Sequence, residues 1–356
     1  MKVLYFSTVN WKWIKQRPHF ICEYLSKNNY DVTYFSMTPL FKQKIVNNRV
    51  NKYLNINDKY VLPYSSKLKP IRGLNSVYVK KILNKDYDII ILTHPEQYRY
   101  LPNRLLKSNV KVIYECMDNI PYFYNKKIQI GIRYNEKNLC EKVDKIITSS
   151  YYLKDRIMSE YDISERKISV IKNALDKSIL EVRDKKLKLM HPNLMYIGTV
   201  DDWFDTEILN EFATNHSQYT IYILGPNNRN IVNKLNSKNI IFLGTIEHEL
   251  ISSYLKNGDI MLIPFKVNEL IRGVDPVKIY EYLTFNKPVI TSYWKELDTY
   301  KENDLVKFYT TYSDFEVSVE EAINKVNLES DFDSDFINLN SWSKRIEKYI
   351  QVLKSI

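Results

Sequence analysis

Residues 274–290 read VDPVKIYEYLTFNKPVI. The stretch predicts a turn, a short helix and the start of a strand. Asp275 suits a helix cap and Pro276 the first helical position. Ile279, Tyr282 and Leu283 form an apolar stripe at helical spacing. Asn286 suits a left-handed stop, and Pro288-Val289-Ile290 leads into a strand. One residue resists this reading. Lys278 falls in the first turn, where the helix dipole repels a cation, and Glu281 follows on the same face. A bound diphosphate would resolve the conflict, because a helix N-terminus offers free N–H groups to an anion. Glu281 would then accept hydrogen bonds from a neighbouring ribose diol, and Arg272 would be a second phosphate partner. The alternative is a Lys278–Glu281 surface pair worth about 0.2–0.5 kcal/mol.

The same helix-then-strand rhythm runs outward in both directions. Strands are expected at 2–7, 31–35, 88–93, 110–114 and 145–149, with helices near 18–27 and 132–141. In the second half, strands are expected at 192–197, 219–224, 240–243, 260–263 and 288–291. Helices are expected there at 205–215, 229–236, 247–257 and 276–285. Alternation of this kind implies parallel sheets with helices on both faces. The fold class is therefore α/β, with two doubly wound, Rossmann-like domains. The expected divisions are 1–172, a linker over 173–188, 189–340, and a helix at 341–356 that packs back on the first domain. That last segment, SWSKRIEKYIQVLKSI, carries an amphipathic face of Trp342, Ile346, Tyr349, Ile350 and Leu353. Ligands of such sheets bind outside the carboxyl ends of the strands, here in a cleft between the domains.

The chain has 356 residues, 44% hydrophobic and 26% charged, a soluble globular composition with length for two domains. No apolar run approaches the roughly 20 residues that span a bilayer. The amino terminus reads as a first strand rather than a signal peptide. Cys22, Cys116 and Cys140 have no metal or redox spacing and suit a reduced, cytoplasmic setting. Only 7 glycines occur, and Gly198, Gly225 and Gly244 each follow a strand-like run. Charge is uneven: residues 1–170 hold 30 Lys and Arg against 15 Asp and Glu. Residues 41–85 hold 11 basic residues and one acid, Asp58, interleaved with aromatics. That mix suits an anionic membrane surface or a phosphate-rich ligand; a solvated lysine surface is the plainer reading. Nucleic acid is not expected, since no known binding module accompanies the charge.

Several stretches resemble a known family. VDPVKIYEYLTFNKPVI is similar to the donor-binding segment of retaining, family-4-like glycosyltransferases of the GT-B fold. NIIFLGTIEHELISSYLKNGDIMLIPF (239–265), MYIGTVDDWFDTEIL (195–209) and VIKNALD (170–176) agree with it in order and spacing. WKWIKQRPHFICEYL (11–25), IYECMDN (113–119) and the closing SWSKR resemble a subgroup near teichuronic-acid and capsule biosynthesis.

The resemblance implies a GT-B architecture. It implies a nucleotide-diphosphate sugar as donor, UDP- or GDP-linked, and a glycan or polyprenyl-linked acceptor, with no metal and no further cofactor. Glu281 matches the second glutamate of the family's Glu-x7-Glu motif and would bind the ribose. Lys278 and the Gly273–Asp275 turn would lie along the diphosphate and sugar. Gly198 and Thr199 would let the backbone approach the diphosphate, and Leu243, Gly244 and Thr245 would line the base. His94, ending DIIILTH, would approach the transferred sugar, with a strand-end structural role as its alternative. Asp118 is a second catalytic candidate or a turn former. Three departures stand out. Gly273 occupies the place of the first motif glutamate, and Asp275 either covers part of that role or caps the helix. The usual basic pair after the first carboxy-terminal strand is replaced by Asp201, Asp202 and Trp203. The usual glycine-rich first loop is replaced by Thr8-Val9-Asn10-Trp11, so Asn10, Trp11 and Arg17 become acceptor-binding candidates. Relatives retain anomeric configuration, a leaving-group phosphate oxygen taking the acceptor proton.

The leading expectation is a cytoplasmic, membrane-peripheral hexosyltransferase of surface polysaccharide assembly. A sugar-nucleotide epimerase of the same fold, and a catalytically silent binding or scaffold subunit, are the alternatives.

Overall fold

The structure is a computed structural model that describes residues 1–40, 53–63, 68–107, 109–181, 187–326 and 334–356. The basic stretch 41–85 and the linker are therefore described only in part. The chain divides into two compact units, one of residues 1–173 with 342–356 and the other of 174–341.

The first unit holds a seven-stranded, wholly parallel sheet. Its elements run β1 (Lys2–Ser7), α1 (Arg17–Lys27), β2 (Asp31–Pro39), β3 (Asn55–Val61), α2 (Lys69–Ile82), β4 (Ile89–Leu92), α3 (Asn103–Leu106), β5 (Lys111–Cys116), α4 (Lys126–Lys142), β6 (Lys145–Thr148), α5 (Tyr151–Tyr161) and β7 (Ile168–Val170). The spatial order is β3-β2-β1-β4-β5-β6-β7, so the strand order reverses between β1 and β4. The central strands are near-continuous apolar runs such as IIIL in β4, as expected where helices cover both faces.

The second unit holds a six-stranded parallel sheet of β8 (Asn193–Ile197), β9 (Thr220–Leu224), β10 (Ile240–Gly244), β11 (Ile260–Ile263), β12 (Val289–Ser292) and β13 (Val306–Tyr309). Its order is β10-β9-β8-β11-β12-β13, with the reversal between β8 and β11. The helices are α6 (Thr206–Asn215), α7 (Ile251–Asn257), α8 (Glu269–Arg272), α9 (Val277–Thr284), α10 (Tyr312–Ile323) and α11 (Ser334–Leu339). The last helix, α12 (Trp342–Lys354), belongs to the first unit and packs on α1.

Two expectations on elements are corrected. The helix expected at 229–236 is a single 3-10 turn, Ile231–Lys234. Arg229 and Asn230 both have positive φ, at 52° and 55°, which breaks a right-handed helix before it starts. Pro276 is the cap of α9, and the cap makes no side-chain hydrogen bond. Asp275 lies outside the helix, its carboxylate accepting from Tyr280 Oη at 3.0 and 3.1 Å.

Two buried carboxylates organise the first unit. Glu115 on β5 is fully buried. One oxygen accepts from Arg17 Nε at 2.8 Å. The other accepts from Tyr5 Oη at 2.6 Å and Tyr349 Oη at 3.0 Å. Glu136 on α4 accepts two hydrogen bonds from Arg156, at 2.9 and 3.0 Å, and one each from Tyr114 and Tyr161. Buried charges persist only when paired and fully hydrogen-bonded in this way.

Candidate functional site

In the second unit the ends of three adjacent strands form a glycine-lined rim. Gly198 N–H donates to Leu224 O, and Gly225 N–H donates to Gly244 O, both at 2.8 Å. Gly225 has φ +133°, and a Cβ there would stand 2.0 Å from the Gly198 carbonyl oxygen. The close approach of the two loops therefore requires glycine. Neighbouring strands are about 4.8 Å apart, so the rim from β8 to β10 spans about 10 Å.

Helix α9 meets this rim at β8. Tyr282 Oη accepts from Ile197 N–H at 3.1 Å and fixes the helix against the strand. Tyr196 Oη donates to Thr199 O at 2.8 Å and shapes the loop. A Cβ on Gly198 would meet Tyr196 Oη at 2.6 Å and Lys278 Cε at 3.5 Å. The Lys278 stem thus passes over the glycine backbone. Its ammonium donates to Glu281 Oε2 at 2.8 Å, the two side chains 24% and 14% exposed. Gly198, Thr199, Lys278 and Glu281 are brought together. Leu243 and Thr245 are exposed beside Gly244, at the far end of the same rim.

The neighbouring turn is built differently from the expectation. Gly273 closes α8 with φ −83°, an ordinary backbone angle, and Arg272 is exposed and paired with Glu269 at 3.1 Å. Asp275 is 2% exposed. Held by Tyr280, it anchors the turn. Trp294 Nε1 donates to Val274 O at 2.9 Å and steadies the same turn. Asp201 and Asp202 face Arg229 and Asn228, which satisfies this acidic loop internally.

In the first unit, His94 and Asp118 follow the adjacent strands β4 and β5 at one sheet edge. His94 Nδ1 accepts from Glu96 N–H at 3.2 Å, so the proton of the neutral ring sits on Nε2, which lies 3.1 Å from Tyr124 Oη. Burial pushes its pKa down and keeps the ring neutral. Asp118 is half-buried. Burial raises its pKa to about 6, against the opposing pull of Arg17. A cavity of about 400 Å³ is lined by Pro95, Tyr98 and Arg99 on one side and by Tyr134, Asn138 and Lys142 of α4 on the other.

The three acceptor-binding candidates are all buried in this structure. Trp11 is 1% exposed, its ring packed on His19 and Tyr34. Asn10 is buried, donating to Thr38 Oγ1 and accepting from Lys12 N–H. Arg17 is buried in its ion pair with Glu115, with Nη1 on Lys172 O. Asn10 and Trp11 brace the first loop from within, and Arg17 ties α1 to β5 and to residues 172 and 173. Sequence reasoning missed Glu115, Glu136 and Tyr196, because a lone carboxylate or tyrosine in an apolar run carries no pattern of its own, and it read Tyr282 only as part of an apolar stripe, not for its hydroxyl. Gly225 was signalled by its place after a strand.

Residues 19–178 match the family described as Glycosyltransferase Family 4. TuaH of Bacillus subtilis (strain 168), named as a teichuronic acid biosynthesis glycosyltransferase, is 24% identical over 206 residues, 51% of this chain and 50% of that protein. The chain spans about half the length of the curated relatives it matches. Among solved structures, a glycosyltransferase from Rickettsia africae ESF-5 aligns with TM-score 0.66 and 14% identity, covering 99% of this chain and 98% of that one. Anabaena HepE in complex with UDP-glucose aligns with TM-score 0.71 and 13% identity over 100% of both chains. The chain resembles family-4 glycosyltransferases in sequence over its amino-terminal unit, and along its whole length it has the fold of GT-B glycosyltransferases.

Proposed function

We propose that the protein transfers a sugar from a nucleotide-diphosphate sugar to a glycan or lipid-linked acceptor in bacterial cell-surface polysaccharide biosynthesis. The observation that carries this reading is the Lys278 stem crossing Gly198 at 3.5 Å from a Cβ position, at the N-terminus of α9. A cation, free helix N–H groups and an open glycine backbone converge there, and all three suit a diphosphate. Glu281 receives the ribose hydroxyls. Leu243, Gly244 and Thr245 border the base about 10 Å away along the rim, near the span of a nucleotide. UDP is the nucleotide of choice, since HepE, of the same fold, is solved with UDP-glucose.

As the sugar leaves, negative charge grows on the diphosphate. Lys278 and the helix N-terminus stabilise it without reorganising, which gives a metal-independent reaction. Retention of configuration follows the family resemblance, with a leaving-group oxygen accepting the acceptor proton. The neutral His94 ring carries its proton on Nε2, 3.1 Å from Tyr124 Oη, and would donate it to the transferred sugar by exchanging Tyr124 for the sugar oxygen. The excess positive charge of the first unit draws the protein to an anionic inner leaflet, where a lipid-linked acceptor resides.

The test is a thermal-shift and calorimetric titration with UDP, GDP, TDP and their sugars. One nucleotide diphosphate is expected to raise the melting temperature of the wild type by mass action, and Lys278→Ala and Glu281→Ala to abolish the shift. A wild type unmoved by every nucleotide overturns the reading.

A further inference from the structure

Helix α2 carries apolar residues on two separate faces. The inner face is pinned. Val79 is fully buried, and Asn75 accepts from Leu62 N–H at 3.0 Å and donates to Leu62 O at 2.9 Å. On another face, Leu74, Val77 and Tyr78 are 62%, 71% and 46% exposed. At 100° per residue these three fall within an arc of about 100°. Leu68, just before the helix, and Leu62, on the loop that Asn75 holds, are exposed beside it. Single exposed apolar side chains are ordinary, whereas a contiguous group on one helix marks an interaction surface.

The charge around this face is of one sign. Lys69, Arg72, Lys80, Lys81 and Lys85 lie on or next to α2. Among the described residues none of the five is paired with a carboxylate. Asp86, the acid closest in sequence, is already engaged by Arg104 at 2.6 Å. At 100° per residue Lys81 lies within the apolar arc and Lys80 beside it, while Lys69 and Arg72 lie toward the opposite side; an apolar strip with unpaired lysines in and beside it matches the boundary between anionic headgroups and acyl chains. Tyr60 and Tyr78, both exposed, are side chains suited to that boundary. A second copy of the chain fits less well, because a two-fold contact would bring like charges together.

We propose that α2 is the membrane-insertion element of the amino-terminal unit, with Leu74, Val77 and Tyr78 entering the headgroup region of an anionic bilayer and the surrounding lysines contacting lipid phosphates. This rests on the reading of the protein as membrane-peripheral and names the surface responsible. The helix lies in the interface plane; among the described residues no helix is long and apolar enough to cross a membrane.

The experiment is co-sedimentation of the full chain with phosphatidylglycerol-containing vesicles and with phosphatidylcholine vesicles, at low and high salt. Two variants accompany the wild type: Leu74→Ser/Val77→Ser/Tyr78→Ser, and Lys80→Glu/Lys81→Glu. In parallel, Val77→Cys is labelled with an environment-sensitive fluorophore; Cys22, Cys116 and Cys140 are buried, so the label is selective. Val317→Cys, on the half-exposed face of α10, is the control. The expected result is wild-type binding to anionic vesicles only, roughly tenfold weaker in both variants, with a blue shift at position 77 and none at 317. If the wild type binds and the serine variant binds equally, with no shift at 77, the α2 proposal fails and membrane association stands on another surface. If the wild type ignores anionic vesicles at low salt, the membrane reading itself fails. A self-association lost in the serine variant, without vesicle binding, assigns the face to a second copy and overturns the proposal.

Discussion

A lysine in the first turn of a helix works against the dipole by about 0.3–1 kcal/mol. Its pair with Glu281 returns about 0.2–0.5 kcal/mol. The balance at Lys278 is therefore close to neutral or unfavourable, as a residue kept for binding an anion would show. Lys278→Ala is expected to weaken UDP binding by about 10- to 100-fold, the worth of one charge-assisted hydrogen bond. Arg272→Ala, at an exposed side chain already paired with Glu269, is expected to leave affinity within about twofold. Isothermal titration of both variants checks the contrast; equal losses would remove the distinction. Asp118 supports a second residue-scale prediction. Its pKa is raised from 3.8 to about 6 by burial. The folded state therefore favours the protonated form. The stabilising contribution is present below the unfolded pKa near 3.8 and is lost as pH rises through about 6. Asp118→Asn is expected to gain stability relative to wild type as pH rises across that window, read from urea midpoints at several pH values. A difference that does not change with pH would contradict it. The Lys278–Glu281 conflict was legible in the sequence because the helix dipole gives position a sign. The fates of Asp275 and Trp11 were not, because a carboxylate or indole beside a turn reads alike whether it faces a ligand or a tyrosine.

At the scale of elements, the glycine rim makes a testable distinction. Alanine at 225 must hold φ +133° and bring its Cβ within 2.0 Å of a carbonyl oxygen. Alanine at 244 needs only φ +75° and meets nothing within 4 Å. Gly244→Ala is expected to cost about 1–2 kcal/mol, the left-handed penalty alone. Gly225→Ala is expected to cost more than about 3 kcal/mol and to displace the Gly198 loop, lowering UDP affinity as well. Chemical denaturation and titration together check this; equal costs would mean the loops part without penalty. The sequence flagged these glycines because each closes an apolar strand. It did not reveal β3 or α2. β3 reads NINDKYV with no clear alternation, as an edge strand with mostly half-buried residues can. In α2, apolar residues on two faces blur the helical period. The opposite error at 229–236 has a local cause: Ile231, Val232 and Leu235 stand at helical spacing, but two left-handed residues precede them.

At the scale of the whole molecule, the chain's last helix belongs with its first. Residues 342–356 follow the second unit in sequence yet complete the core of the first. Trp342 stacks on Phe20 with centroids 5.1 Å apart, and Tyr349 reaches the buried Glu115 that also holds Arg17 and Tyr5. The amphipathic pattern of this segment was plain from sequence, but its polar anchor was not: Tyr349 read as one more apolar position. The distribution of stability follows. Trp342→Ala removes a 2% exposed indole and is expected to destabilise the first unit by about 3–5 kcal/mol. Tyr349→Phe deletes one of three donors to Glu115 and is expected to cost about 1 kcal/mol. Glu115→Gln leaves the buried Arg17 guanidinium without its counter-charge and is expected to cost about 3–5 kcal/mol. Hydrogen exchange read by mass spectrometry distinguishes where these losses fall. Protection should drop across residues 1–173 and 342–356, while 174–341 keeps its protection and its affinity for UDP. The contacts described around Lys278 lie within the second unit, so on the proposed reading donor binding is expected to survive a weakened first unit even as transfer to an acceptor is lost. Equal loss of protection in both units would show that they unfold as one, and that the covalent path of the chain, rather than the packing of α12 on α1, governs its cooperativity.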